Sequence, residues 1–147
     1  MMKVRPAILL RRTNRVLLLH YRYGGTDVYG LPGGNPDIGE TLSEALTREL
    51  FEELNLTVRV GPLILMGEVI LPEKRESVLH CIFEGEITSG EPEINPAATS
   101  ALNFVWKPLH ELPPLNLYPN VGTALTNYLG GRLPGTYIGQ IAQEWFE

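Results

Sequence analysis

Between Gly34 and Leu56 the chain reads GNPDIGETLSEALTRELFEELNL, and this run constrains the fold more than any other. Thr41 followed by Glu44 forms a capping box: the threonine hydroxyl accepts from the Glu44 amide, and the Glu44 carboxylate accepts from the Thr41 amide. At the other end Asn55 suits the left-handed conformation of a helix C-terminus, with Leu56 beyond it placed to pack back on Phe51. The run therefore predicts a helix over Leu42–Leu54.

At about 100° per residue, Leu42, Ala45, Leu46, Leu50 and Leu54 form one broad apolar stripe. Glu49 and Glu53 project within that stripe or at its edge, whereas Glu44, Arg48 and Glu52 make an i, i+4 charge ladder on the outer side. A solvated face explains Glu44. It does not explain two carboxylates turned toward a core edge, which repel each other and lose hydration unless a cation compensates. Mg²⁺ is commonly held by one or two carboxylates with waters and substrate phosphates, so Glu49, Glu52 and Glu53 predict a magnesium site and a phosphate ester or phosphoanhydride as substrate. Upstream, Leu31-Pro32-Gly33-Gly34 and Gly39 form a loop whose missing side chains would let backbone amides approach a ligand. Glycine pairs alone usually mark turns. The loop gains meaning from the acidic helix that follows it.

Loop and helix together resemble the Nudix box, G-x5-E-x7-R-E-U-x-E-E-x-G-U with U a bulky aliphatic, of hydrolases acting on a nucleoside diphosphate linked to a moiety X. Gly34, Glu40, Arg48, Glu49, Leu50, Glu52, Glu53 and Leu56 match in register, and Asn55 stands where the family has glycine. Asparagine is the best non-glycine residue for a left-handed cap, so the departure implies a modest cost in stability and no loss of the site. The resemblance implies hydrolysis of a pyrophosphate linkage by water, with Mg²⁺, or Mn²⁺ in its place, neutralising charge on the phosphate oxygens. By that likeness Glu49, Glu52 and Glu53 are metal ligands, Glu52 and Glu53 the foremost. One acid also serves as base, either in the box or among Glu68, Glu73, Glu76, Glu91 and Glu93. Arg48 belongs to the catalytic set by orienting Glu52 or Glu40, and Glu40 is a structural partner. Gly33, Gly34 and Arg22 are candidates for substrate binding, Arg22 as a grip on phosphate.

The rest of the chain suits one domain over residues 1–147. A chain of 147 residues buries roughly 68–70% of its unfolded surface and needs no disulfide. Cys81 is the single cysteine, so no internal bridge exists, and its apolar neighbours predict a packed strand thiol. The start, MMKVRPAILL, alternates and carries no signal peptide or membrane span, which predicts a cytoplasmic protein. A net charge of −5 argues against broad nucleic-acid binding and leaves a metal to supply positive charge for an anionic nucleotide or diphosphate.

Strands are expected over Val4–Leu10 and Val16–Tyr21, joined by a turn at Thr13 and Asn14, then over Thr57–Val60, Leu63–Leu71, Val78–Ile87 and Ala101–Trp106. Gly61-Pro62 and the segment from Ser89 to Pro96 act as breakers. A second helix is expected with Pro119 in its first turn, Val121, Ala124, Leu125, Tyr128 and Leu129 at helical spacing, and Gly130-Gly131 at its end. This is an α/β fold, a mixed β-sheet flanked by helices, similar to the Nudix α/β/α sandwich.

Tyr23, Tyr29, Phe104 and Trp106 are candidates for stacking a base, although aromatics in strands more often belong to a core. Pro72 resembles a marker of ADP-ribose-cleaving members. His20, His80 and His110 have no metal-ligand spacing and read as packing or surface residues. Ile138, Ile141, Ala142, Trp145 and Phe146 recur at helical spacing; docking of this stripe on its own domain competes with a dimer interface, leaving a monomer or a homodimer. Two alternatives to a nucleotide hydrolase remain: a Nudix-like sensor that binds a nucleotide without cleaving it, and an enzyme acting on a non-nucleotide diphosphate.

Overall fold

The computed structural model describes residues 2–71 and 76–144. Pro72, Glu73, Trp145 and Phe146, named above, lie outside the described residues. The strands are β1 Lys3–Leu9, β2 Arg11–Arg12, β3 Arg15–Tyr23, β4 Thr26–Gly30, β5 Thr57–Val69, β6 Val78–Ser89, β7 Asn103–Pro108 and β8 Tyr137–Gln140. The helices are α1 Leu42–Leu54 and α2 Gly122–Leu129.

One sheet is mixed, in the order β1-β6-β5-β8: β1 runs parallel to β6, β6 antiparallel to β5, and β5 parallel to β8. In the second sheet β3 pairs antiparallel with β2 and β4 and, along its other edge, with β7. Alternating residues of β1, of Leu10 just after it and of β3 feed two separate cores. Ala7, Leu9, Val16 and Leu18 join Val121 and Leu125 from α2, whereas Ile8, Leu10, Leu17 and Leu19 join Leu46, Leu50 and Leu54 from α1. The sheets thus lie between two helical layers, the α/β/α arrangement expected. Full burial of Leu46, Leu50 and Leu54 contributes about 1.5–3 kcal/mol each, which fixes the helix axially and therefore fixes its acids.

Four elements differ from expectation. Gly61-Pro62 does not split β5; the strand runs through, with register shifts between Val60 and Leu63 that absorb a proline unable to donate to the ladder. β4 was not foreseen, and it makes a two-residue hairpin with β3 across Gly24 and Gly25, both at positive φ (55° and 83°). Pro119 stands before α2 rather than in its first turn, and the helix begins at Gly122, where a side chain would strike the Leu112 carbonyl at 2.4 Å. Among the described residues the C-terminal apolar stripe starts in a strand, β8, and not in a helix: the Met66 amide donates to the Thr136 carbonyl and the Ile141 amide to the Glu68 carbonyl, while Gly139 takes φ +75°. Ile138 and Ile141 fill the space over Gly67, so the described part of the tail docks on its own domain. Cys81 is buried in β6, as expected for a packed thiol.

Candidate active site

The capping box forms as the sequence requires, with Glu44 N donating to Thr41 Oγ1 at 3.1 Å and Thr41 N to Glu44 Oε1 at 3.0 Å. Asn55 ends α1 at φ 57°, and the Leu56 amide donates back to the Leu50 carbonyl. Leu56 buries with Leu50 and Leu54 rather than on Phe51, which stays 60% exposed.

Arg48 organises the acids. Its Nε and Nη2 donate to the two oxygens of Glu40 at 2.8 and 2.9 Å, a bidentate pair, and Nη1 donates to Glu49 at 3.0 Å and Glu52 at 3.2 Å. Nη2 also reaches the Asn35 carbonyl at 3.1 Å. Glu40 accepts as well from the Asp37 amide at 2.7 Å, and Arg48 first, then that amide, hold its carboxyl below the usual range. Glu40 thus ties the loop before α1 to the helix. Arg48 itself is held further above its ordinary value, Glu40 being the largest cause.

The glycine pair is packed closely against β1 and α1. A side chain at Gly33 would strike the Pro6 carbonyl oxygen at 2.3 Å, and one at Gly34 would strike Glu49 Cδ at 2.4 Å. The Gly34 amide donates to the Pro6 carbonyl at 3.3 Å. Gly33 lets the loop seal the free edge of β1, and Gly34 leaves room for the Glu49 carboxylate.

Glu49 and Glu53 touch, one helical turn apart. Burial and then Glu49 push the Glu53 carboxyl up to about 8, with Arg5 pulling the other way. Among the described residues no three His, Cys, Asp or Glu side chains converge to hold a metal ion as they stand, because Glu52 turns out toward Arg48 and is half exposed. Two converging carboxylates, Glu49 and Glu53, nevertheless suit a hard divalent cation. They are an all-oxygen donor pair whose mutual repulsion such an ion relieves, and two is the number that Mg²⁺ takes when waters and substrate supply the rest.

Glu53 opens on a cavity of about 550 Å³ lined also by Arg5, Tyr21, Tyr29, His80 and Tyr118. The segment after β6 completes it. Asn95 Nδ2 donates to the Glu52 carbonyl and the Asn95 amide to the Glu53 carbonyl, at 3.0 and 2.9 Å, which brings Thr99 onto Tyr21. Burial, then the Glu53 charge, push the Tyr21 phenol up to about 12. Of the acids considered as base outside the box, Glu68 accepts from the Tyr137 hydroxyl, Glu91 pairs with Arg12, and neither they nor Glu76 and Glu93 line this cavity. Glu53 is the acid that does, among the described residues.

Arg22 lies elsewhere: it is exposed and its guanidinium is engaged by Asp27 at 3.0–3.1 Å. Sequence reasoning passed over Arg5, which lines the cavity and makes no ion pair with another described residue. A single arginine in a strand of alternating residues carries no signal by itself. Tyr23 and Tyr29 border the cavity, whereas Phe104 and Trp106 pack on the α1 core and Trp106 lies under Arg12 at 4.9 Å. A second groove, about 600 Å³, is lined by Arg11, Arg12 and Arg59, each already paired with a glutamate.

The described helices include none long and apolar enough to cross a membrane. The family model for the NUDIX domain matches residues 2–128. An ADP-ribose pyrophosphatase of Methanocaldococcus jannaschii is 30% identical over 110 residues, which is 73% of this chain and 62% of that protein. The NAD-capped RNA hydrolase NudC of Photorhabdus laumondii is 36% identical over 59 residues, 39% of this chain and 23% of that one. The chain thus spans less than two thirds of either relative. A NUDIX hydrolase from Nitrosomonas europaea superposes with a TM-score of 0.74 at 20% identity, over 90% of this chain and 91% of that one. With the box, the sandwich and a family match over nearly the whole domain in agreement, the chain belongs to the Nudix hydrolase family.

Proposed function

We propose that the chain is a divalent-metal-dependent hydrolase that cleaves the pyrophosphate linkage of a nucleoside diphosphate derivative. Mg²⁺ is the favoured ion and Mn²⁺ its alternative. The observation that carries this is the contact between Glu49 and Glu53 at the mouth of a cavity that also holds Arg5. The names of the two relatives, an ADP-ribose pyrophosphatase and an NAD-capped RNA hydrolase, point to the same linkage.

Each residue then has a task. Glu49 and Glu53, with Glu52 in reach one turn away, would hold the ion, which would supply charge neutralisation on the phosphates and a more acidic water. Glu53 accepts the proton of the attacking water. Arg48 keeps Glu49, Glu52 and Glu40 in register without touching substrate. Arg5 pairs with a non-bridging phosphate oxygen, a charge-assisted contact on the cavity wall.

The test is turnover of a panel of nucleoside triphosphates, nucleotide sugars, ADP-ribose and dinucleoside polyphosphates, with Mg²⁺ and with chelator. Cleavage that needs the metal and drops at least about a hundredfold in Glu53→Gln is expected, the range for loss of a general base. Turnover that survives in Glu53→Gln would overturn the assignment, and binding without cleavage would favour a sensor.

A further inference from the structure

Tyr118 and Pro119 form part of the cavity wall, and their backbone is held by two sets of hydrogen bonds. The first set comes from β4: the Tyr29 amide donates to the Asn116 carbonyl at 2.8 Å, and the Tyr118 amide donates to the Tyr29 carbonyl at 2.9 Å. Pro119 has no N–H to add, and its carbonyl accepts from the Val121 amide. The second set comes from the C-terminal segment beyond β8. Gln143 Oε1 accepts from the Asn120 amide at 2.7 Å, and Gln143 Nε2 donates to the Leu117 carbonyl at 3.1 Å, so one side chain spans the wall from Leu117 to Asn120. Asn120 Nδ2 returns a bond to the Ala142 carbonyl at 2.9 Å.

We propose that Gln143 is a positioning residue for the substrate: it braces the Tyr118–Pro119 wall, and through that wall the C-terminal segment sets how tightly the cavity grips its ligand. The inference rests on the hydrolase reading for what fills the cavity, and on the hydrogen bonds alone for the brace. A primary amide offers a donor and an acceptor together, as a neighbouring strand's backbone does, and a carboxylate or an ammonium offers only one of the two. Docking of the tail does not explain the residue. Two positions earlier Ile141 is already buried, and its amide donates to the Glu68 carbonyl at 2.7 Å. The acids of α1 are held by Arg48 and by the leucine core, neither of which includes this wall. A loosened wall therefore weakens binding in the ground state and the transition state alike, which raises KM and leaves kcat in place.

The experiment compares Gln143→Ala with Tyr137→Phe, both in the full chain. The second variant removes a different hydrogen bond of the same tail, the one from Tyr137 to Glu68, which does not reach the wall. Hydrogen exchange by NMR should show the Tyr118 amide exchanging at least about fivefold faster in Gln143→Ala, with the Met66 amide under β8 unchanged, and neither should move in Tyr137→Phe. With Mg²⁺ and the best-cleaved member of the nucleotide panel, KM should rise about five- to tenfold in Gln143→Ala, the worth of one or two neutral hydrogen bonds, while kcat stays within about twofold. Tyr137→Phe should keep both constants. An unmoved Tyr118 amide, an unchanged KM, a fall in kcat alone, or an equal rise in KM in Tyr137→Phe would overturn the proposal. Absence of turnover in the unaltered chain would overturn the hydrolase reading instead, and the exchange comparison would still decide the brace.

Discussion

Glu53 and Glu49 meet across one turn of α1 in hydrogen-bond contact, and burial with that neighbour raises the Glu53 carboxyl to about 8. The folded state therefore holds a proton that the unfolded chain releases near 4.5. Between those values the native state binds more protons, so stability falls as pH rises and levels off above about 8. His80 acts in the opposite sense: its basicity is lowered from 6.5 to about 4, so its contribution rises with pH until it levels off near 6.5. The two cancel below about pH 6.5, and the loss from Glu53 stands alone between there and pH 8, with a slope of about 1.4 kcal/mol per pH unit. Glu40, Glu44 and Asp27 have lowered values and act only at more acid pH. Urea unfolding in chelator at pH 6.5 and 8 measures the slope. It should vanish in Glu53→Gln, and with Mg²⁺ present, because the ion takes the place of the shared proton.

The two glycines before α1 should fail in different ways. A β-carbon at Gly33 meets backbone, the Pro6 oxygen at 2.3 Å and Ala7 Cα at 2.8 Å, so Gly33→Ala has to push the loop off β1 and should cost about 1–3 kcal/mol in stability. A β-carbon at Gly34 meets the Glu49 side chain, which can swing away. Gly34→Ala should therefore keep most of its stability and lose metal affinity and turnover about 10–100-fold, the range for disturbing the support of a ligand. Chemical denaturation and Mn²⁺ titration of both variants separate the two. Equal loss of stability in both would contradict the geometry.

Much of this was legible in the chain. The limits of α1, its capping box and its left-handed Asn55 follow from local hydrogen bonding and spacing, which need no distant partner. β4 was legible too and was missed: a Gly-Gly pair between Tyr23 and Thr26 is the chemistry of a two-residue hairpin. The 3–4 spacing of the C-terminal stripe suits a helix, and the feature that overrides it at Tyr137–Gln140, parallel pairing with β5, is non-local. The same holds for the cavity. Arg5, Tyr29, Gly30, His80 and Tyr118 come from separate parts of the sequence, and only the fold brings them to Glu53.

The helix ends should tune stability without touching turnover. Thr41→Ala removes the acceptor for the Glu44 amide and should cost about 1 kcal/mol, or about 2–4 °C in Tm for a chain of this size. Asn55→Ala puts an ordinary residue at φ 57° and should cost about 1–2 kcal/mol, whereas Asn55→Gly, the family residue, should hold or raise Tm. Calorimetric melting of the three variants, with kcat/KM unchanged within about twofold, checks both points. A fall in Tm for Asn55→Gly would mean that the side chain does more than permit the backbone angle.

Two arginines, Arg5 and Arg22, offer the sharpest contrast in substrate recognition. Arg22 is engaged by Asp27 and lies in solvent, so Arg22→Gln exchanges one exposed pair for water and should change kcat/KM by no more than about twofold. Arg5 stands in the cavity wall close enough to Glu53 to oppose the rise in its carboxyl, and it makes no ion pair with another described residue. A phosphate oxygen is the anion that would complete it. Arg5→Gln should raise KM and lower kcat/KM about 10–100-fold, as expected for a hydrogen bond to a charged group, and Arg5→Lys should recover part of the loss. Losing Arg5 also removes a charge that lowers the Glu53 carboxyl, so in chelator the pH-dependent fall in stability should extend to higher pH in Arg5→Gln. Steady-state kinetics on the best substrate, paired with that unfolding series, tests both roles of the residue. An Arg5→Gln enzyme with unchanged KM and an unmoved stability profile would remove Arg5 from the site.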